Sequence, residues 1–197
     1  MIVIKNNICV IFKNQYNFGM ISLIEESSPI LHTSASVVSK EEFGTPMLEK
    51  EISDMFNLLE IKKDGVALAA PQVGIAKQIF IITPHIFSHP DAHELVYINP
   101  QITSASKDTS MMEEGCLSVP YVFGKTKRSI MATVRAQRRD GTIFEKRGTG
   151  LLAQIFQHEI DHLHGILFNS HADNLKKLSE QEIADFEAED YKITPIY

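Results

Sequence analysis

Positive charge is in short supply: 19 Lys and Arg against 25 Asp and Glu leave a net charge of −6, with an isoelectric point near 5.7. A nucleic-acid binder usually carries a basic face, so direct nucleic-acid binding is not expected, and any transient ribosome contact would have to be local. Cysteine is scarce as well, with Cys9 and Cys116 alone. That excludes a disulfide scaffold and suits a reducing cytosol, where a lone thiol more often serves as ligand or nucleophile. Long apolar runs are missing near the start. The longest there, Ile8 to Phe12, is bracketed by Asn6-Asn7 and Lys13-Asn14, too short for an export signal or a membrane span. A cytoplasmic protein without membrane attachment is expected. No repeat or low-complexity tract stands out.

What is present is an apolar content of 44% over 197 residues, enough for the core of one domain. Residues 1 to about 28 read as an N-terminal arm, within which Met20 is a second candidate start. From Met47 to Lys63, apolar residues fall at Leu48, Ile52, Phe56 and Leu59, a helical stripe with Gly65 at its expected end. Gln78 to Thr83 and Leu95 to Asn99 read as short buried strands. Met131 to Ala136 and Thr142 to Lys146 flank Asp140-Gly141, a hairpin signal. A second helix follows Gly150 and runs to about Leu163, with Gly165 just beyond. The charged tail from Ser179 to Asp190 also reads as helical. The fold class is α+β, with mostly antiparallel sheets around a central helix in a single domain.

That central helix holds Gln157-His158-Glu159-Ile160-Asp161-His162. Residues four apart on a helix face the same way, about 5–6 Å apart at Cβ, so two imidazoles converge on one ion at about 2.0–2.1 Å. Glu159, beside the first ligand, is placed to reach a water on that ion rather than the ion itself. This is the HExxH arrangement. A chance pairing of helix-surface histidines is disfavoured by Glu159 and by the apolar Leu151, Leu152 and Ile155 before it. Asp161 reads equally as an orienting partner of a ligand histidine or as a solvated helix charge.

A catalytic site needs a third protein ligand and an open position. Phe168 stands where a further histidine would extend the motif. Glu180, Glu182, Glu187 and Glu189 are downstream candidates, and Cys116, in Glu114-Gly115-Cys116-Leu117-Ser118, is the upstream one. Taken alone, Cys116 reads more readily as a small buried hydrophobe. A rival cluster of His85, His89 and His93 is interrupted by Pro84 and Pro90, which break any helix that would align it.

Three separated segments together resemble the peptide deformylases: Gly65-Val66-Ala67-Leu68-Ala69-Ala70-Pro71-Gln72, Glu114-Gly115-Cys116-Leu117-Ser118, and Gln157 to His162. The resemblance spans roughly Pro29 to Phe168, which makes 29–197 the deformylase domain with its charged C-terminal helix. It implies a metal-dependent hydrolase that removes the N-formyl group from the formylmethionine of new polypeptides and releases formate. Its partners would be N-formylmethionyl peptides. By the same resemblance, Cys116, His158 and His162 hold one divalent metal and Glu159 is the acid/base. Gln72 and the Leu117 N–H serve the oxyanion. Val66, Ala67 and Gly115 bind the substrate main chain, and the methionine side chain lies near Leu151 and Ile155. Ferrous iron is the metal the family commonly uses, and zinc, nickel or cobalt also support it; the ligand set does not choose among them.

Three positions depart from the usual pattern. Ala67 replaces a frequent glycine, Tyr121 another, and Gln154 stands where an apolar residue is more usual. None touches the ligands, and Ala67 and Gln154 would reshape the substrate cleft. If its methyl pointed along that cleft, Ala67 would weaken substrate docking. Enzymatic and structural alternatives remain: a zinc endopeptidase with a tail glutamate as third ligand, a closed metal site that only holds the fold, and a binder of chain N-termini without turnover.

Overall fold

A computed structural model describes residues 21–62, 65–88 and 94–188. The expectations for Cys9, Met20, His89 and His93 fall outside these residues.

Helix α1 (Pro46–Ile61) starts where Thr45 accepts a hydrogen bond from the Leu48 N–H at 3.3 Å, with Pro46 in the first turn, the arrangement that satisfies an otherwise orphaned donor. Its inner face is Leu48, Ile52, Met55, Leu58 and Leu59. Phe56, expected on that stripe, is instead half-buried beneath the Arg139 guanidinium.

Strands β1 (Ala67–Ala69), β2 (Ile79–Ile82), β3 (Val96–Ala105), β6 (Met131–Gln137) and β7 (Ile143–Thr149) form one antiparallel sheet in the order β1-β2-β3-β6-β7. Strands β4 (Thr109–Cys116), β5 (Val119–Ser129) and β8 (Asp173–Lys177) form a second, in the order β4-β5-β8. The chain continues into α3 (Glu180–Ala188). The β6–β7 hairpin turns at Asp140-Gly141, as its turn residues predict, with Gly141 at φ +82°. Strand β3 outruns its expected end at Asn99. Register shifts between Ile98 and Gln101 absorb Asn99 and Pro100, because a bulge tolerates a proline that lacks a ladder donor.

Helix α2 (Gly150–Leu163) lies between the two sheets. Leu152, Phe156 and Leu163 share one face by helical spacing, and Gln154, Gln157, His158 and Asp161 share the opposite one. The first face packs on the five-stranded sheet, where the Phe156 ring lies 5.3 Å from Tyr97, itself stacked on Phe80 at 4.5 Å. Full burial of a side chain such as Phe156 contributes about 1.5–3 kcal/mol. Contact is close enough that a Cβ at Gly148 would lie 2.9 Å from both Leu152 and Phe156. The second face meets β4 and β5 through polar groups.

Beyond α2, Gly165 takes φ +74°, and a Cβ there would sit 2.6 Å from the backbone of His32 and Thr33. Glycine is required twice over, by conformation and by close approach. The N-terminal segment therefore lies against the end of the helix, where the Ala35 N–H donates to the Leu163 carbonyl at 2.9 Å. Residues 21–28, expected as the end of an arm, are packed too. Ile21 and Leu23 lie on the main core, and the Ile24 N–H donates to the Gln72 carbonyl at 2.8 Å.

Candidate metal centre

Two elements supply the chemistry. Strand β4 ends at Cys116, where the tight turn through Leu117 and Ser118 into β5 leaves the sulfur buried against Leu31, Val119, Leu167 and Phe168. Helix α2 supplies His158 and His162, both buried, with ring centroids 4.9 Å apart. One ligand atom from each of these three residues lies within 4.8 Å of the others, and Cys116 Sγ is 3.3 Å from His162 Nε2. A tetrahedral ion with bonds of about 2.0–2.3 Å separates its ligand atoms by roughly 3.3–3.8 Å, so the spacing suits one ion. His158 Nδ1 donates to Glu114 Oε2 at 3.1 Å, which leaves Nε2 buried and without a hydrogen bond. The donor set of one thiolate and two imidazoles suits a borderline divalent metal. These residues fit such a group.

Glu114 is held on all sides. Arg128 grips it in a bidentate pair, Nε to Oε1 at 2.7 Å and Nη2 to Oε2 at 2.9 Å, and Arg128 Nη1 also donates to Asp161 at 2.6 Å. Burial would raise the Glu114 carboxyl, but the hydrogen bonds from His158 and Arg128 hold it well below the usual carboxylate range. Burial alone would likewise depress His158; Cys116 and Glu114 outweigh it and raise that imidazole to about 9. The Cys116 thiol is lowered despite its burial, with His158 among the causes. His162 has no such help, and burial together with the charges of His158 and Arg128 presses it far below its ordinary value. A metal held by both would take Cys116 as thiolate and His158 as neutral imidazole.

Gln72 is fully buried beside this cluster. Its Oε1 accepts from the Ala69 N–H at 3.0 Å, and its Nε2 donates to Cys116 Sγ and Ser118 Oγ, each at 3.4 Å. Glu159 is also fully buried.

A family model described as polypeptide deformylase matches residues 20–178. The peptide deformylase of Zymomonas mobilis is 37% identical over 162 residues, covering 81% of this chain and 89% of that protein. That of Acidobacterium capsulatum is 40% identical over 155 residues, 79% and 88% of the two chains. Among solved structures, an Acinetobacter baumannii class I type b peptide deformylase with Met-Ala-Ser bound superposes with a TM-score of 0.69 at 35% identity, over 77% of this chain and 98% of that one. The Thermotoga maritima enzyme gives 0.69 at 34%, over 78% and 98%.

The chain belongs to the polypeptide deformylase family. It is a metal-dependent hydrolase that removes the N-formyl group from nascent polypeptides. The endopeptidase, purely structural and non-catalytic readings fall with that assignment.

The deformylase brings most of the sequence candidates to one place and disperses others. Val66 and Ala67 lie at β1, among the described residues an edge strand of its sheet, and Gly115 lies beside Cys116 on β4. Ala67 is fully buried within the main core, so its methyl does not line an open groove. Ile155 is likewise enclosed in that core, while Leu151 is half-buried at its margin. His85 is exposed and paired with Glu60. Of the tail carboxylates, Glu182 is occupied by Lys176 and Ser179. Among the described residues, no glutamate from the tail joins the Cys116 cluster. Asp161 does not orient a ligand histidine: it pairs with Arg128 and lies 3.7 Å from His171.

Glu114 holds His158 instead. In the sequence it stands only as part of the segment around Cys116, with no role of its own. Its signal was present in being a carboxylate two residues from a candidate ligand. Arg128, in the following strand, carried none.

Proposed function

We propose that Cys116, His158 and His162 hold the catalytic metal of this deformylase, with Glu159 as the acid/base. The observation that carries this is the buried convergence of the three ligand atoms within 4.8 Å, with Glu159 following the first histidine on α2. When bound, the ion supplies Lewis acidity that makes water a nucleophile near neutral pH. Glu159 takes the proton of the attacking water and delivers it to the departing amine nitrogen. The Gln72 amide, already directed at the Cys116 sulfur, and the Leu117 N–H serve the oxygen on which charge develops. One lost donor of that kind typically costs about 2.7–4 kcal/mol.

The substrate is an N-formylmethionyl peptide, whose main chain lies along Val66, Ala67 and Gly115 as an added strand. That β1 is an edge strand supports this, as does the Met-Ala-Ser bound to the A. baumannii relative. The methionine side chain lies toward Leu151, with Ile155 beneath. Ferrous iron is the native ion of this reading, with zinc, nickel and cobalt as substitutes, and the cytoplasm is the compartment. No helix among the described residues is long and apolar enough to cross a membrane. A local, transient ribosome contact belongs to the same reading.

Formate release from a formyl-Met peptide, measured on anaerobically purified protein with its metal content, tests the assignment. Cys116→Ala is expected to lose stoichiometric metal. Glu159→Ala should keep the metal and the fold yet lose roughly 10²–10⁴-fold in turnover. Full metal retention in the first variant, or parental turnover in the second, overturns the corresponding role.

A further inference from the structure

The metal centre joins two separate elements, since Cys116 closes β4 in one sheet while His158 and His162 ride on α2. Something has to fix the strand against the helix. Gln154 sits one turn before His158, on the same face, and is buried. Its Nε2 donates to the Glu113 carbonyl at 2.9 Å and lies 3.3 Å from Glu114 Oε1. Both acceptors belong to β4, two and three residues before the sulfur.

The bonds around Glu114 then close into a complete set. Oε1 accepts from Arg128 Nε and Gln154 Nε2, and Oε2 accepts from Arg128 Nη2 and His158 Nδ1. A carboxylate has about four acceptor directions, and here each has a donor. With its orientation fixed from three directions, Glu114 holds the His158 ring with Nδ1 as donor and Nε2 facing Cys116 and His162. Partners of this kind orient the histidine ligands of metal sites.

We propose that Gln154 is a positioning residue of the metal site, clamping α2 to β4 and completing the hydrogen-bond shell through which Glu114 aims His158. This rests on the ligand set proposed above. An apolar side chain of the same length removes the Gln154 donor from the Glu113 carbonyl and from Glu114 Oε1, and the strand loses a direct tie to the helix. Gln154 touches neither substrate nor ion in this account; it acts through Glu114.

The test is metal affinity rather than turnover. Gln154→Met and, as a second variant of different shape, Gln154→Leu are titrated with Co2+ and with Zn2+ against a chelator, beside parent, Glu114→Gln and Cys116→Ala. Both Gln154 variants are expected to bind about 10–100-fold more weakly, with altered visible bands of the Co2+ form. In the Zn2+ form, the His158 Nδ1–H resonance should exchange faster with solvent. In the Glu114→Gln background, Gln154→Met should add little further loss, because two residues acting through one path are not additive. Parental affinity in both Gln154 variants, while Cys116→Ala has lost its metal, overturns this inference alone. Full additivity with Glu114→Gln overturns the route through Glu114. Metal retained by Cys116→Ala overturns the ligand set, and this inference with it.

Discussion

Ala67 shows how far a single methyl group can be read from sequence. Its place in the segment before Gln72, where glycine is frequent, suggests a Cβ along the substrate cleft, so that Ala67→Gly would lower KM. The fold turns that side chain inward, because Ala67 is fully buried on β1, opposite Ile82. Glycine there forfeits a buried methyl, worth about 0.8 kcal/mol, and adds roughly 0.5–1 kcal/mol of backbone entropy cost. Ala67→Gly is therefore expected to destabilise by about 1–2 kcal/mol in urea unfolding, with KM for formyl-Met peptides unchanged. A lower KM with unaltered stability would restore the cleft reading. Asp161 teaches the converse. Its spacing made it a fair candidate to orient a ligand histidine, but which carboxylate reaches His158 depends on how β4 crosses α2, and no local pattern encodes that crossing.

Elements were legible where a period or a cap marks them. Helices α1 and α2 follow from apolar spacing, and the β6–β7 hairpin from Asp140-Gly141. The β4–β5 hairpin was not read. Much of β4 is exposed, so it shows no alternation, and its turn at Leu117-Ser118 lacks the glycine, asparagine or aspartate pair that marks a tight hairpin. Strand β8 is exposed throughout and is invisible for the same reason. Helix α3 is legible in the charged tail, and the structure adds its start signal. Ser179 and Glu182 bond reciprocally, the Ser179 N–H donating to Glu182 Oε2 at 2.9 Å and the Glu182 N–H to Ser179 Oγ at 3.4 Å, a capping box. Glu182 is lowered to about 2, chiefly by Lys176 and then by Ser179. A carboxyl depressed on folding contributes above its unfolded value of about 4.5, and that contribution disappears as pH falls through about 2. Amide protection at Ser179 and along α3 should thus be flat above pH ~5 and fade between about 4.5 and 2, by hydrogen exchange. Glu182→Gln should show reduced protection already at neutral pH. Protection in the parent that is unchanged down to pH ~2 would remove Glu182 from the cap.

At the scale of the molecule, spacing makes the two histidines legible as candidate ligands, whereas Cys116, which alone reads as a small buried hydrophobe, becomes one only through the family resemblance, and the assembly around all three is not legible. That α2 is held between two sheets, and that the N-terminal segment buttresses the site, follows only from long-range contacts. Ile24 and Ile30 pack against the small cluster that encloses Cys116, the Ile24 N–H bonds the Gln72 carbonyl, and Asn169 donates to Glu26 at 2.6 Å. The boundary of the expected arm can therefore be located by deletion. A chain starting at Met20 retains all these contacts, so it should melt close to the full chain and keep its metal and turnover. A chain starting at Pro29 loses the apolar contacts of Ile21, Leu23 and Ile24 and the two long-range hydrogen bonds that tie this segment to Gln72 and Asn169. Partial burial of three aliphatic side chains at about 25 cal/mol per Å², with about 1 kcal/mol for each bond, amounts to about 3–5 kcal/mol. At roughly 2–4 °C per kcal/mol for a chain of this size, its melting temperature should fall by roughly 6–20 °C. Turnover should fall further than metal content, because Gln72 loses its backbone tether while the three proposed ligands stay. Thermal melts, metal content and formate release on the two shortened chains decide it. Equal melting temperatures for both starts would show that residues 21–28 add nothing to the domain, and a Met20 start as unstable as the Pro29 start would place essential contacts before residue 20.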